Sequence, residues 1–95
     1  MTEDEVISLG QYCENLLTQD NFTMLVKQFE TQTIEHLLTT NADEKQKRED
    51  IYASISGVRD FLGLMRFFVD KKNQIIEEQD NKALSEDTDA LPLEY

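Results

Sequence analysis

Apolar positions recur along most of this chain at intervals of three and four residues, the period of an α-helix with one buried face. Val6, Leu9, Gly10, Cys13, Leu16 and Leu17 form the first such stripe. Thr2 stands ahead of it as an N-cap, and Glu5 completes a capping box, so a helix is predicted over about residues 3–18. Gly10 costs about 1 kcal/mol in helix propensity, and its place on the buried side predicts a close approach by another helix. A second stripe, Phe22, Leu25, Val26, Phe29, Thr33, His36 and Leu37, predicts a helix over about 22–40 capped by Asp20 or Asn21. Met24, Ile34 and Leu38 fall off that stripe.

Thr39-Thr40-Asn41-Ala42-Asp43 is a short polar connection, and Asp43 with Gln46 matches a second capping box. Beyond it a long helix is predicted over about residues 44–81. Its seam, Ile51, Ile55, Val58, Leu62, Met65, Val69 and Ile76, is heptad-like, with Lys72 at the one missed position. About 38 residues at ~1.5 Å each make a rod of about 57 Å, roughly twice either earlier helix. Gly57, Phe61, Leu64, Phe68 and Ile75 form another stripe about 100° around, in the upper half only, and Phe67 faces a third side.

The fold class that follows is all-α: an antiparallel helical hairpin or three-helix bundle with two shorter N-terminal helices and one long C-terminal helix. Three Gly and a single Pro in 95 residues agree with long helices and few turns. The short loop ties the second helix to the lower half of the rod, leaving the upper half to the first helix or to another copy of the chain. Gly57 and Gly63 inside the rod predict either close packing or a bend at which Asp60 caps a fourth helix. One helical domain is expected over 1–82, with an acidic flexible tail over 83–95. Leu91-Pro92-Leu93-Glu94-Tyr95 is suited to docking on a partner in extended form.

The net charge of −11 is unevenly spread. Residues 1–44 hold nine acids and one Lys, 45–72 hold four acids and seven Lys or Arg, and 73–95 hold seven acids and one Lys. A basic middle between acidic flanks predicts neutralisation within the chain or between copies, and it opposes binding to phosphate. The basic residues Lys45, Lys47, Arg48, Arg59, Arg66, Lys71 and Lys72 scatter around the rod, with no helix-turn-helix pattern.

No Gly-rich loop, Cys pair, His-x-x-His or Ser/His/Asp set occurs, so no enzyme activity, cofactor or metal is expected. Cys13 reads as a small buried hydrophobe, and His36, the only histidine, as a side chain at the edge of its stripe. A lone Cys fits a reducing compartment, and no apolar run is long enough for a membrane span. A cytoplasmic protein without a small-molecule substrate is expected.

Leu9-Gly10, Leu16-Leu17, Phe22 and Arg48-Glu49-x-x-Tyr52 resemble a group of small helical tailed-bacteriophage proteins encoded among the head-assembly and packaging genes. The resemblance spans roughly Val6 to Lys72; in that group the Arg-Glu-x-x-Tyr step opens the long last helix. The Phe-rich segment 61–69 and the Leu-Pro-Leu-Glu-Tyr ending depart from the group's pattern. It implies a virion-assembly or accessory role, in the host cytoplasm and in the virion, with no catalytic residue to carry over.

The expected function is therefore a non-enzymatic helical interaction protein, a homo-oligomer or bound to a protein partner. The expected interface is Phe61, Leu64, Phe67, Phe68 and Ile75, with Leu91, Leu93 and Tyr95 as a second contact. The alternatives are a small DNA-packaging subunit that uses the basic middle, and an acidic DNA-mimicking inhibitor.

Overall fold

In the computed structural model of the protein, the described residues are 1–90, with side-chain surroundings given through residue 84. Three helices follow in order: α1 (Glu3–Leu17), α2 (Asp20–Leu38) and α3 (Lys45–Ala90). The molecule measures 80 × 25 × 21 Å. Its length is set by α3, whose 46 residues span about 69 Å at ~1.5 Å per residue.

The start of α1 is fixed by the expected capping box. The backbone N–H of Glu5 donates to Thr2 Oγ1 at 3.1 Å, and the N–H and hydroxyl of Thr2 both donate to the Glu5 carboxylate. These bonds occupy N–H groups that a helix start leaves without partners. α1 ends at Thr18, whose hydroxyl donates to the Glu14 carbonyl at 2.9 Å. A single extended residue, Gln19, then separates it from α2. Gln19 is the N-cap of α2 and makes no side-chain capping bond, while Asp20 and Asn21, expected as caps, lie inside the helix.

The start of α3 also differs from expectation. The Glu44 carboxylate accepts from the Asn41 N–H at 2.9 Å, and the Glu44 carbonyl accepts from the Arg48 N–H. The closing residue of this turn is thus Glu44, with Asn41 three positions before it, rather than the Asp43–Gln46 pair. Gln46 instead donates to Asp50 at 2.9 Å. Among the described residues no helix break occurs at Gly57, Gly63 or Asp60, and no glycine has a positive φ. α3 also continues past Asn81 to Ala90, through a stretch with no Gly or Pro to interrupt it.

The architecture is an antiparallel hairpin whose returning arm is divided. α3 is one arm; α1 and α2 lie one after the other along its seam. α1 covers the upper part, where Cys13 packs with Leu62 and Met65, flanked by Leu9, Leu16, Leu17, Val58, Phe68 and Val69. Phe22 and Val26 at the start of α2 reach the same cluster from below. Lower still, Phe29, Thr33 and His36 lie beside Lys47, Ile51 and Ser54. The predicted division of the rod between the two short helices is therefore observed, with α1 making by far the closer contact. No residue of α2 is fully buried.

Gly10 shows why α1 sits so close. A β-carbon there would lie 2.5 Å from the backbone oxygen of Phe68 and 2.6 Å from Lys72 Cβ. Only glycine allows the two backbones this separation. The seam of α3 also has no gap at Lys72. That side chain is buried, with 4% of its surface exposed, and it donates to Glu14 and to Gln11 Oε1 on α1.

Candidate protein-interaction surface

Helical phase divides α3 into three strips. The seam toward α1 and α2 is filled by Ile51, Ile55, Val58, Leu62, Met65, Val69 and Lys72, all buried or half-buried, whereas Ile76, expected on the seam, is exposed where the covering helix α1 begins. On one flank lie Tyr52, Arg59, Gly63, Arg66 and Asp70, a largely polar set. On the other lie Gly57, Phe61, Leu64, Phe68 and Ile75. Between positions 57 and 68, α3 is therefore apolar on one flank and largely polar on the other.

The apolar flank meets a matching strip of α1. Leu9, Tyr12 and Leu16 from α1, with Phe61, Leu64 and Phe68 from α3, line a groove floored by Cys13 and Met65. The groove holds about 230 Å³ and its lining is almost wholly apolar. Its rims stand open: Tyr12 and Phe61 are each 61% exposed and Leu64 is 51% exposed. Side chains of this size would lose free energy by remaining in water, at about 25 cal/mol per Å² of apolar surface.

The expected interface residues are not equivalent. Phe61 and Leu64 are exposed rims of the groove. Phe68 is half-buried and packs on the core cluster, so it belongs to the groove wall and to the fold together. Ile75 is half-buried near Glu3 at the far end of α1. Phe67 is outside the groove: its ring is edge-on to Phe68 at 5.4 Å between centroids, with Lys71 Nζ 5.7 Å from its own centroid. Leu91, Leu93 and Tyr95 lie outside the described residues.

Sequence reasoning passed over Tyr12 and the paired role of Leu9 and Leu16. The signal was present, because positions 9, 12 and 16 repeat the spacing of positions 61, 64 and 68. Tyr12 lies off the stripe that makes α1 amphipathic, so that periodicity does not point to it. In the sequence Lys72 interrupts the apolar seam, although Glu14 stands one helical turn beyond Gly10 on α1.

Met24, Leu25, Phe29, Ile34 and Leu38 of α2 are exposed, including Leu25 and Phe29, which the periodicity placed on the buried stripe. His36 is exposed, at a shallow depression with Lys47 and Asp50. Cys13 is a buried free thiol in the core, as its position predicts. Among the described residues no group of three His, Cys, Asp or Glu side chains is placed to hold a metal ion. Among them, too, no helix is long and apolar enough to cross a membrane. The Glu44 carboxyl is held below its ordinary range, chiefly by the Asn41 N–H and further by Lys47, whose Nζ is 3.5 Å away.

Compared with protein-family models, curated proteins and solved structures, the chain matches none.

Proposed function

We propose that this protein is a non-enzymatic helical assembly protein that works by self-association through the upper half of α3. The observation that carries this reading is the open apolar groove between α1 and α3, with Phe61 and Leu64 on one rim and Tyr12 on the other. The fold itself does not require these side chains to be apolar, since they face solvent in the single chain. A role in bacteriophage head assembly, in the host cytoplasm and the virion, follows from the likeness of Leu9-Gly10, Leu16-Leu17 and Arg48-Glu49-x-x-Tyr52 to that group. It is compatible with a small rigid rod that presents one sticky side.

Light scattering at micromolar concentration tests this directly. The wild-type chain is expected at a multiple of 11.1 kDa. Leu64→Glu is expected to be monomeric with unchanged helical circular dichroism. Leu64 is a better probe than Phe68, which also supports the core. A wild-type chain that stays monomeric at every concentration overturns the proposal.

A further inference from the structure

The apolar flank of α3 is a second heptad seam, and its residues specify how a second copy lies against it. Asp50, Ser54, Gly57, Phe61, Leu64, Phe68, Lys71, Ile75, Glu78 and Lys82 follow one another at alternating spacings of four and three. Gly57 lies on this seam. It is exposed, and a β-carbon there would meet nothing within 4 Å, so this point of the seam leaves open space that a partner side chain can enter.

We infer that the groove is filled by α3 of a second copy, running antiparallel, in the register that sets Leu64 of each chain against Phe68 of the other. This inference rests on the self-association proposed above and specifies its geometry. Antiparallel coiled-coil layers pair alternate seam positions, so only registers differing by a heptad compete. In the chosen register Asp50 faces Lys82, Gly57 faces Ile75, and Phe61 faces Lys71. Opposite charges meet at both ends, the glycine accepts a branched side chain, and a cation meets an aromatic face. Shifting one heptad one way sets Asp50 against Ile75; shifting the other way sets Phe61 against Glu78. Each of these registers sets a carboxylate against an apolar side chain, without the attraction a cation has for an aromatic face, and each separates Asp50 from Lys82.

α1 supplies independent support. Gly10 sits between the levels of Phe68 and Lys72, which places it level with position 70 of its own α3. Moving along α1 from there, Leu9, Tyr12 and Leu16 fall at levels 71, 68 and 64. In the same register those levels carry Phe61, Leu64 and Phe68 of the second copy. The two strips that line the groove therefore both match the incoming helix, and two copies of each make a closed four-helix unit about a two-fold axis.

Disulfide trapping between full-length single-site variants tests the register. Asp50→Cys and Lys82→Cys change exposed positions, and the wild-type chain, whose Cys13 is buried, is the blank. Mild oxidation of the mixed variants is expected to give the mixed disulfide in roughly tenfold excess over either variant bonded to itself, because bridged Cα atoms must approach within ~7 Å. In a parallel pair the two sites would be about 48 Å apart at ~1.5 Å per residue. Light scattering on the same samples separates the two ways of failing. A dimer in which either variant couples to itself, or in which the mixture does not couple, overturns the register and leaves self-association standing. A monomer removes both.

Discussion

Lys72 of α3 is buried against Glu14 of α1, 58 positions earlier in the chain, and the two side chains close the upper end of the core. The lysine side chain is 5% exposed and the glutamate 40%. Removing either partner has different consequences. Glu14→Gln leaves a buried ammonium without its anion; solvent at the half-open glutamate reduces the loss to about 1 kcal/mol, below the 3–5 kcal/mol of a fully buried pair. Lys72→Met continues the apolar seam and is expected to be neutral or stabilising, because it removes a desolvated charge. Urea unfolding of the two variants should therefore move in opposite directions, or only Glu14→Gln should move. A Lys72→Met variant less stable than the wild-type chain would show that the ion pair contributes net stability.

The glycines of the chain should respond oppositely to alanine. Gly10→Ala adds a methyl group against the Phe68 carbonyl, a backbone atom that cannot swing away. A loss of about 1–3 kcal/mol is expected in spite of better helix propensity. Gly63→Ala meets nothing within 4 Å and should gain about 1 kcal/mol. Thermal unfolding of the pair measures the contrast, and a stabilised Gly10→Ala would mean that α1 lies farther from α3 than described.

Cys13 should be chemically silent in the native state. It is 5% exposed and packed against Leu62 and Met65. Its reaction with a thiol reagent is expected to be at least about 100-fold slower in buffer than in denaturant, since access requires the α1–α3 contact to open. Following the reaction spectroscopically against urea concentration would also report how often that contact opens.

Glu44 gives the α2–α3 turn a pH dependence. Its carboxyl is held below the ordinary range, first by the Asn41 N–H, so the folded chain binds its proton more weakly than the unfolded chain does. The stabilisation is present at neutral pH and is lost as pH falls through the folded-state value. Nuclear magnetic resonance of the Glu44 carboxyl carbon should show a midpoint below that of an ordinary glutamate. Asn41→Pro, which deletes the donating N–H, should return it toward normal.

Much of this arrangement was legible in the sequence because it is written as periodicity. The capping box at Thr2, the seam of α3, the exposure of Phe61 and Leu64, and the close approach at Gly10 all follow from spacing and residue type. The boundaries that depend on local hydrogen bonding were less visible. Gln19 and Glu44 took the positions expected for Asp20 or Asn21 and for Asp43. At the second of these the Asn41 N–H captured a carboxylate three residues on, an alternative that a capping pattern alone does not rank. The burial of Lys72 was also hidden, because its anion comes from another helix and no spacing within α3 signals it.

The single extended residue at Gln19 sets how mechanical disturbance spreads through the molecule. Above it, α1 and the upper rod share a core and must open together. Below it, α2 buries no residue fully and is held by a thinner contact. The part of α2 beyond Val26, which does not reach the core cluster, should therefore release its amide protons to exchange first. A partner bound in the upper groove would stiffen one end of the rod and leave the other free to peel.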